Sequence, residues 1–176
     1  MRAAVTTTLV LGIGNTLLMD EGAGVHAAAQ LKAAVESGQC APCDSALRVL
    51  DAGTLGFALL PEVQACAALI VIDAACDGLA AGSVSVREGP MMDSFVRRRG
   101  RSVHEVGIAD LLDMARLSGR LPARRALIGV EPGRIDWGVE CTPVVAGALA
   151  GVVARALELH AQWQAAPLPD EVEHAA

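Results

Sequence analysis

The sequence predicts an α/β fold: a three-layer sandwich with a twisted, mostly parallel sheet of about five strands, one antiparallel edge strand, and helices on both faces. Two observations carry this expectation. Short apolar runs alternate along the chain with amphipathic segments, the pattern of successive βα units. One run, Ala68–Asp73 (ALIVID), is apolar until its last residue, as a strand covered on both faces must be. At 176 residues, 53% hydrophobic and 19% charged, the chain can fill one core without disulfide or metal staples. A single domain over residues 1–164 is expected. A tail over 165–176, with two prolines and several acids, is expected to be mobile.

The elements follow in order. Thr8–Ile13 (TLVLGI) reads as the first buried strand and Gly22–Val35 as the helix after it. Ala46–Asp51 is the second strand, followed by a short helix over Gly56–Gln64, and Ala68–Asp73 is the third. Gly82–Glu88 alternates Val with polar residues and reads as an antiparallel edge. Ser102–Glu105 (SVHE) has the spacing of a capping box, so a helix is expected from Ser102, with Val106, Leu111, Leu112 and Ala115 as its apolar stripe and Gly119 as its stop. Arg125–Val130 is the last strand. Thr142–Pro143 opens a final helix to about Gln162 or Trp163, with Thr as N-cap and Pro in the first turn.

Charge and composition exclude several functions. A net charge of −6 and a pI near 5.1 repel phosphate backbones and anionic lipid. Two Trp, two Phe and no Tyr leave little for stacking bases, so nucleic acid is not an expected partner. The longest apolar stretch, Pro143–Ala154, is shorter than the ~20 residues of a membrane span, and no membrane association is expected. Five cysteines at irregular spacing (Cys40, Cys43, Cys66, Cys76, Cys141) fit reduced thiols in a cytoplasmic protein; the single CxxC at Cys40–Cys43 falls short of the four ligands of a structural zinc site.

In open α/β sheets, ligands bind outside the carboxyl ends of the strands. The first strand ends in Gly12–Asn15 and delivers Asp20 and Glu21 to the next helix; the second ends at Asp51, the third at Asp73; His104 arrives from the junction after the edge strand. If these groups meet, carboxylates and an imidazole suit a divalent ion such as nickel, zinc or iron. Each also has a plainer role: Asp73 can cap a turn, Glu21 can complement the helix dipole, and His104 can be structural. A helix N-terminus disfavours imidazolium, which would keep His104 in the neutral, metal-binding form. The dinucleotide fingerprint lacks its third glycine, and there is no GxxxxGK[ST] loop, no HExxH and no GxSxG. Arg97–Arg101 reads as a solvated loop or as a docking site for an acidic surface, and Glu131, Asp136 and Trp137 as a loop flanking the cleft.

The run Leu9–Val25 (LVLGIGNTLLMDEGAGV) closely resembles the N-terminal signature of the [NiFe]-hydrogenase maturation endopeptidases. Asp51–Gly56 (DAGTLG), Val71–Ala75 (VIDAA) followed by Gly78 and Gly82, Ser102–Gly107 (SVHEVG) and Gly129–Pro132 (GVEP) match later pieces in the same order. Ala52 and Ala81 depart from the family pattern at positions that carry no ligand. The resemblance implies a protease that removes a C-terminal extension from the hydrogenase large-subunit precursor once nickel is in place. It implies Glu21, Asp73 and His104 as the metal-contacting residues, Asp51 and Asp73 as candidates for substrate contact or acid–base work, and nickel carried by the substrate rather than held as a cofactor. The partner is then the precursor, and a cytoplasmic monomer is expected. A nickel metallochaperone, or a phosphate or nucleotide binder using the Gly12–Asn15 loop, are the alternative readings.

Overall fold

The computed structural model describes residues 7–38, 46–54, 56–98 and 107–166. The strands are β1 (Thr8–Ile13), β2 (Leu47–Gly53), β3 (Ala68–Ala74), β4 (Val84–Glu88) and β5 (Arg124–Val130), and the helices α1 (Ala23–Glu36), α2 (Leu60–Ala65), α3 (Gly89–Arg98), α4 (Ile108–Leu117) and α5 (Pro143–Ala165). They form one five-stranded sheet in the order β2-β1-β3-β5-β4. All neighbours are parallel except β4, which pairs antiparallel with β5 at the edge. The mostly parallel sheet and the antiparallel edge are as the sequence pattern predicts.

Strand parity sorts the core into two layers. Val10, Ile70, Ile72 and Ile128 pack under α1 and α5 with Ala27, Leu31, Val145, Val152 and Leu159. The intervening residues Leu9, Leu11, Leu69, Val71 and Leu127 pack on the other face with Val63, Met92, Phe95 and Leu112 of α2, α3 and α4. β1 is buried along its whole length and β3 at every residue but Asp73. Each fully buried aliphatic side chain of this kind contributes roughly 1.5–3 kcal/mol.

Three expectations change. Residues 89–98, left without an element by the sequence reading, form α3, so Arg97 and Arg98 stand on the last turn of a helix rather than in a loop. Gly89, at φ 52°, reverses the chain, Pro90 fits the first turn, and Met92, Phe95 and Val96 bury one stripe. The helix expected from Ser102 starts later: Gly107 is extended at ψ 174°, and α4 begins at Ile108 with the Asp110 carboxylate accepting the Gly107 N–H at 3.1 Å. Ser102 and His104 themselves lie outside the described residues, as do Cys40, Cys43 and most of the expected tail. Finally, Thr142 is the N-cap residue of α5 but makes no side-chain cap, because its hydroxyl bonds elsewhere.

At 23 residues, α5 is one helix long and apolar enough to cross a membrane by length and composition, longer than the apolar stretch expected from sequence. Its buried stripe, from Val145 to Trp163, instead covers the sheet. Arg124 donates to the carbonyls of Trp163 and Ala166, meeting the free acceptors at the end of that helix.

Candidate active site

The strand order reverses between β1 and β3: the chain leaves β1 for β2 on one side and reaches β3 on the other. In open α/β sheets such a switch point is where ligands bind, at the carboxyl ends of the two strands. The N-terminus of α1 is set close over it. A Cβ on Gly24 would lie 2.2 Å from the carbonyl oxygen of Ile72 and 2.3 Å from that of Ile13, so only glycine lets the helix sit on both strand ends. Ile72 directly precedes Asp73, and Gly24 follows Glu21 by three residues.

Glu21 lies in a 3-10 turn, Met19–Gly22, that packs against β3. Its Oε2 accepts the N–H of Asn15, which folds the half-buried side chain back over the end of β1. Met19 holds φ 51°, a left-handed conformation uncommon for a side chain of this size. Gly14, at φ 140°, passes so close to the Glu21 carbonyl that a Cβ would stand 2.0 Å from it.

The turn is anchored by Asp20, whose carboxylate is fully buried. Oδ2 accepts the N–H groups of Gly133 and Arg134 and the Thr142 hydroxyl, each at 2.9 Å, and Oδ1 accepts the Thr142 N–H at 2.6 Å. Burial pushes the Asp20 pKa up, but the hydrogen bonds from Arg134, Thr142 and Gly133 outweigh it and hold the group below its ordinary 3.8. The carboxylate thus ties the loop after β1 to the loop after β5. Backbone bonds from Met19 N–H to the Gly138 carbonyl (2.8 Å) and from Gly138 N–H to the Leu17 carbonyl (3.0 Å) close the same seam.

Asp73 is half-buried near the end of β3, in register with Gly129 of β5. Asp51 is exposed on β2, in register with Gly12, and its Oδ1 accepts the Gly53 N–H at 2.8 Å. The two acids differ in setting. Asp73 shares strand parity with Leu69 and Val71 above α2–α4, whereas Asp51 shares it with Leu47 and Val49 above α1 and α5. The structure therefore places Glu21 and Asp73 at the switch point, and Asp51 one strand further out. His104, the third residue that the resemblance implies as metal-contacting, falls outside the described residues. Among the described residues no three His, Cys, Asp or Glu side chains gather as a metal site.

The Gly12–Asn15 loop does not suit a phosphate. Gly14 N–H is bonded to the Gly53 carbonyl at 2.8 Å and Asn15 N–H to the Glu21 carboxylate. Leu17 N–H is bonded to Asn15 Oδ1 and Leu18 N–H to the Asn15 carbonyl. A phosphate cradle needs such amides free, and an acid beside it would repel the ligand.

Sequence reasoning treated Asp20 only as an acid delivered beside Glu21. Its partners lie more than a hundred residues away, and nothing local marks them. Of the flanking loop, Glu131 is buried and accepts the Asp77 N–H at 2.7 Å, Asp136 is held low by the Arg134 guanidinium and the Trp137 N–H, and Trp137 is 80% exposed.

The sequence and fold are matched by known proteins. The sequence profile of the hydrogenase maturation proteases matches residues 25–159. The chain belongs to the hydrogenase maturation protease family. It is 34% identical over 156 residues to the hydrogenase expression/formation protein HupD of Rhodobacter capsulatus, covering 88% of this chain and 71% of that protein. It is 29% identical to the hydrogenase 2 maturation protease of Escherichia coli, covering 94% and 98%. Among solved structures, the hydrogenase maturating endopeptidase HybD from E. coli superposes with a TM-score of 0.78 at 28% identity, covering 89% of this chain and 93% of that one. The [NiFe] hydrogenase maturation protease HybD from Thermococcus kodakarensis gives 0.70 at 30% identity, covering 88% and 99%. The chain is accordingly a protease of hydrogenase maturation, with the fold of these enzymes.

Proposed function

We propose that this protease removes the C-terminal extension of the nickel-loaded [NiFe]-hydrogenase large-subunit precursor, and that Glu21, Asp73 and His104 recognise the nickel the substrate carries. What supports this most is that Glu21, on a turn that packs against β3 and is anchored by the buried Asp20, and Asp73, near the end of β3, both belong to the carboxyl ends of the neighbouring strands β1 and β3. Carboxylates at adjacent strand ends suit a cation, which offsets the repulsion between like charges. An imidazole from His104 completes a set of donors suited to nickel.

The metal belongs to the substrate, so recognition doubles as a test of maturity: a precursor without nickel offers these side chains nothing to bind. Docking through the metal also brings the scissile peptide to the rim, where proximity lowers the barrier. Asp73, or Asp51 on β2 beyond β1, then serves as the carboxylate that takes a proton from water. The protein acts as a cytoplasmic monomer without membrane association.

The test is incubation with nickel-loaded and nickel-free precursor, read as the mobility shift of a lost C-terminal peptide. Only the loaded form should be cut. Glu21→Gln, Asp73→Asn and His104→Ala should each abolish processing while thermal melts stay cooperative. Equal cleavage of both forms contradicts metal recognition; cleavage of neither, with tight binding of free nickel, favours a metallochaperone.

A further inference from the structure

A second polar site lies away from the switch point, between the edge strand β4 and helix α3. A cavity of about 280 Å³ there is lined by Arg87, Pro90, Met91, Ser94 and Arg98. Pro90 or Met91, Ser94 and Arg98 recur at the spacing of one helix face, so the cavity runs along α3 as a groove with Arg87 across it.

Its two guanidiniums are in different states. Arg87 is rigidly held: Nη2 pairs with Asp77 at 2.7 Å, Nη1 donates to Ser85 at 2.8 Å, and the group lies 3.9 Å over the Phe95 ring. Two of its five N–H donors are thereby used, and the cation–π contact fixes its plane. Arg98 has no ion pair or hydrogen bond among the described residues. Its neighbours are committed: Arg97 and Arg116 both bond Asp113, and Arg116 and Arg125 both bond Asp93. Three arginines thus face two aspartates beside the groove, Asp77 offsets only Arg87, and Arg98 is left uncompensated. On a chain of net charge −6 this is a local positive site.

We propose that this groove binds an acidic segment of the precursor, with a carboxylate of that segment taken between Arg98 and Arg87 and the Ser94 hydroxyl as a further donor. Guanidiniums recognise carboxylates through paired N–H donors, and a plane already fixed, as at Arg87, costs little to order on binding. Pro90 and the exposed Met91 supply apolar contact at the other end of the groove. The inference rests on the proposed function for its substrate and moves docking from the whole Arg97–Arg101 run to one pocket.

The experiment measures equilibrium binding of nickel-loaded precursor by the full chain, so it does not depend on cleavage. Arg98→Glu should weaken binding about tenfold or more, as loss of an interfacial arginine commonly does, and flatten its salt dependence. Arg98→Lys, which keeps the charge but loses the paired donors, should fall between the parent and Arg98→Glu. Arg155→Glu, the same charge change on α5 across the sheet, controls for net charge and should leave affinity unchanged. Parent-like affinity in Arg98→Glu, or an equal loss in Arg155→Glu, overturns the groove. If the parent binds the precursor in this Arg98-dependent way yet leaves it uncut, the groove stands and the proposed cleavage fails.

Discussion

Replacing Asp20 by Asn tests the anchor beneath the site. The change keeps shape but removes the charge and turns one oxygen into a donor. Oδ2 now accepts two N–H groups and a hydroxyl, and Oδ1 a third N–H, all at 2.6–2.9 Å. An amide nitrogen at the Oδ2 position faces the Gly133 and Arg134 donors, and one at the Oδ1 position faces the Thr142 donor, so at least one part-buried N–H group loses its acceptor, at roughly 1–3 kcal/mol, and the charge that strengthened the remaining bonds is gone. A loss of about 2 kcal/mol follows, or a fall in Tm of roughly 4–8 °C for a chain of this size. The pH dependence carries a second signature. Because the folded-state pKa is lowered, the charged carboxylate stabilises the fold fully above its ordinary 3.8, and that contribution is lost as pH falls through the lower folded value. Urea unfolding of parent and Asp20→Asn at pH 7, 5, 4 and 3 should show a wide gap at pH 7 and 5 that narrows below pH 4. A gap under 1 kcal/mol at pH 7, or one that persists unchanged at pH 3, would refute the anchor. Processing should fall as well, since Glu21 rides on the same turn.

Two further outcomes follow from packing. Gly24→Ala places a Cβ 2.2–2.3 Å from two backbone carbonyls, so α1 must move off the strand ends; a loss of about 1–3 kcal/mol in chemical denaturation and reduced processing are expected, and parent-like stability would contradict the close approach. Cys66 is buried, its thiol pushed up to about 12 mainly by that burial, whereas Cys76 is exposed. Mass spectrometry after iodoacetamide at pH 8 should find Cys76 alkylated and Cys66 protected until the chain is unfolded.

Much of the fold was legible because its elements are locally consistent. β1 and β3 are buried almost throughout and read as unbroken apolar runs; β4 is an edge and alternates; Thr142–Pro143 marks the start of α5 within one residue. α3 was missed because Gly89 and Pro90 look like loop residues and the arginine run drew attention from a three-residue stripe. The start of α4 at Ile108 is set by the extended conformation of Gly107 and the carboxylate of Asp110, a boundary the Ser102–Glu105 spacing does not indicate.

The site divides along the same line. Its acids were identifiable as residues at the ends of apolar strands, since strand ends can be read from periodicity alone. Which of them stand on neighbouring strands required the strand order: β2-β1-β3-β5-β4 makes β1 and β3 neighbours across a reversal and leaves Asp51 a strand away. Asp20 has no local signature, because its donors arrive from residues 133, 134 and 142 once β5 and α5 are packed. Local sequence determined the element types through hydrophobic period and chain stiffness. Tertiary structure decided the pairing of charges, because electrostatic and hydrogen-bond energies depend on distances through space that separation along the chain does not set.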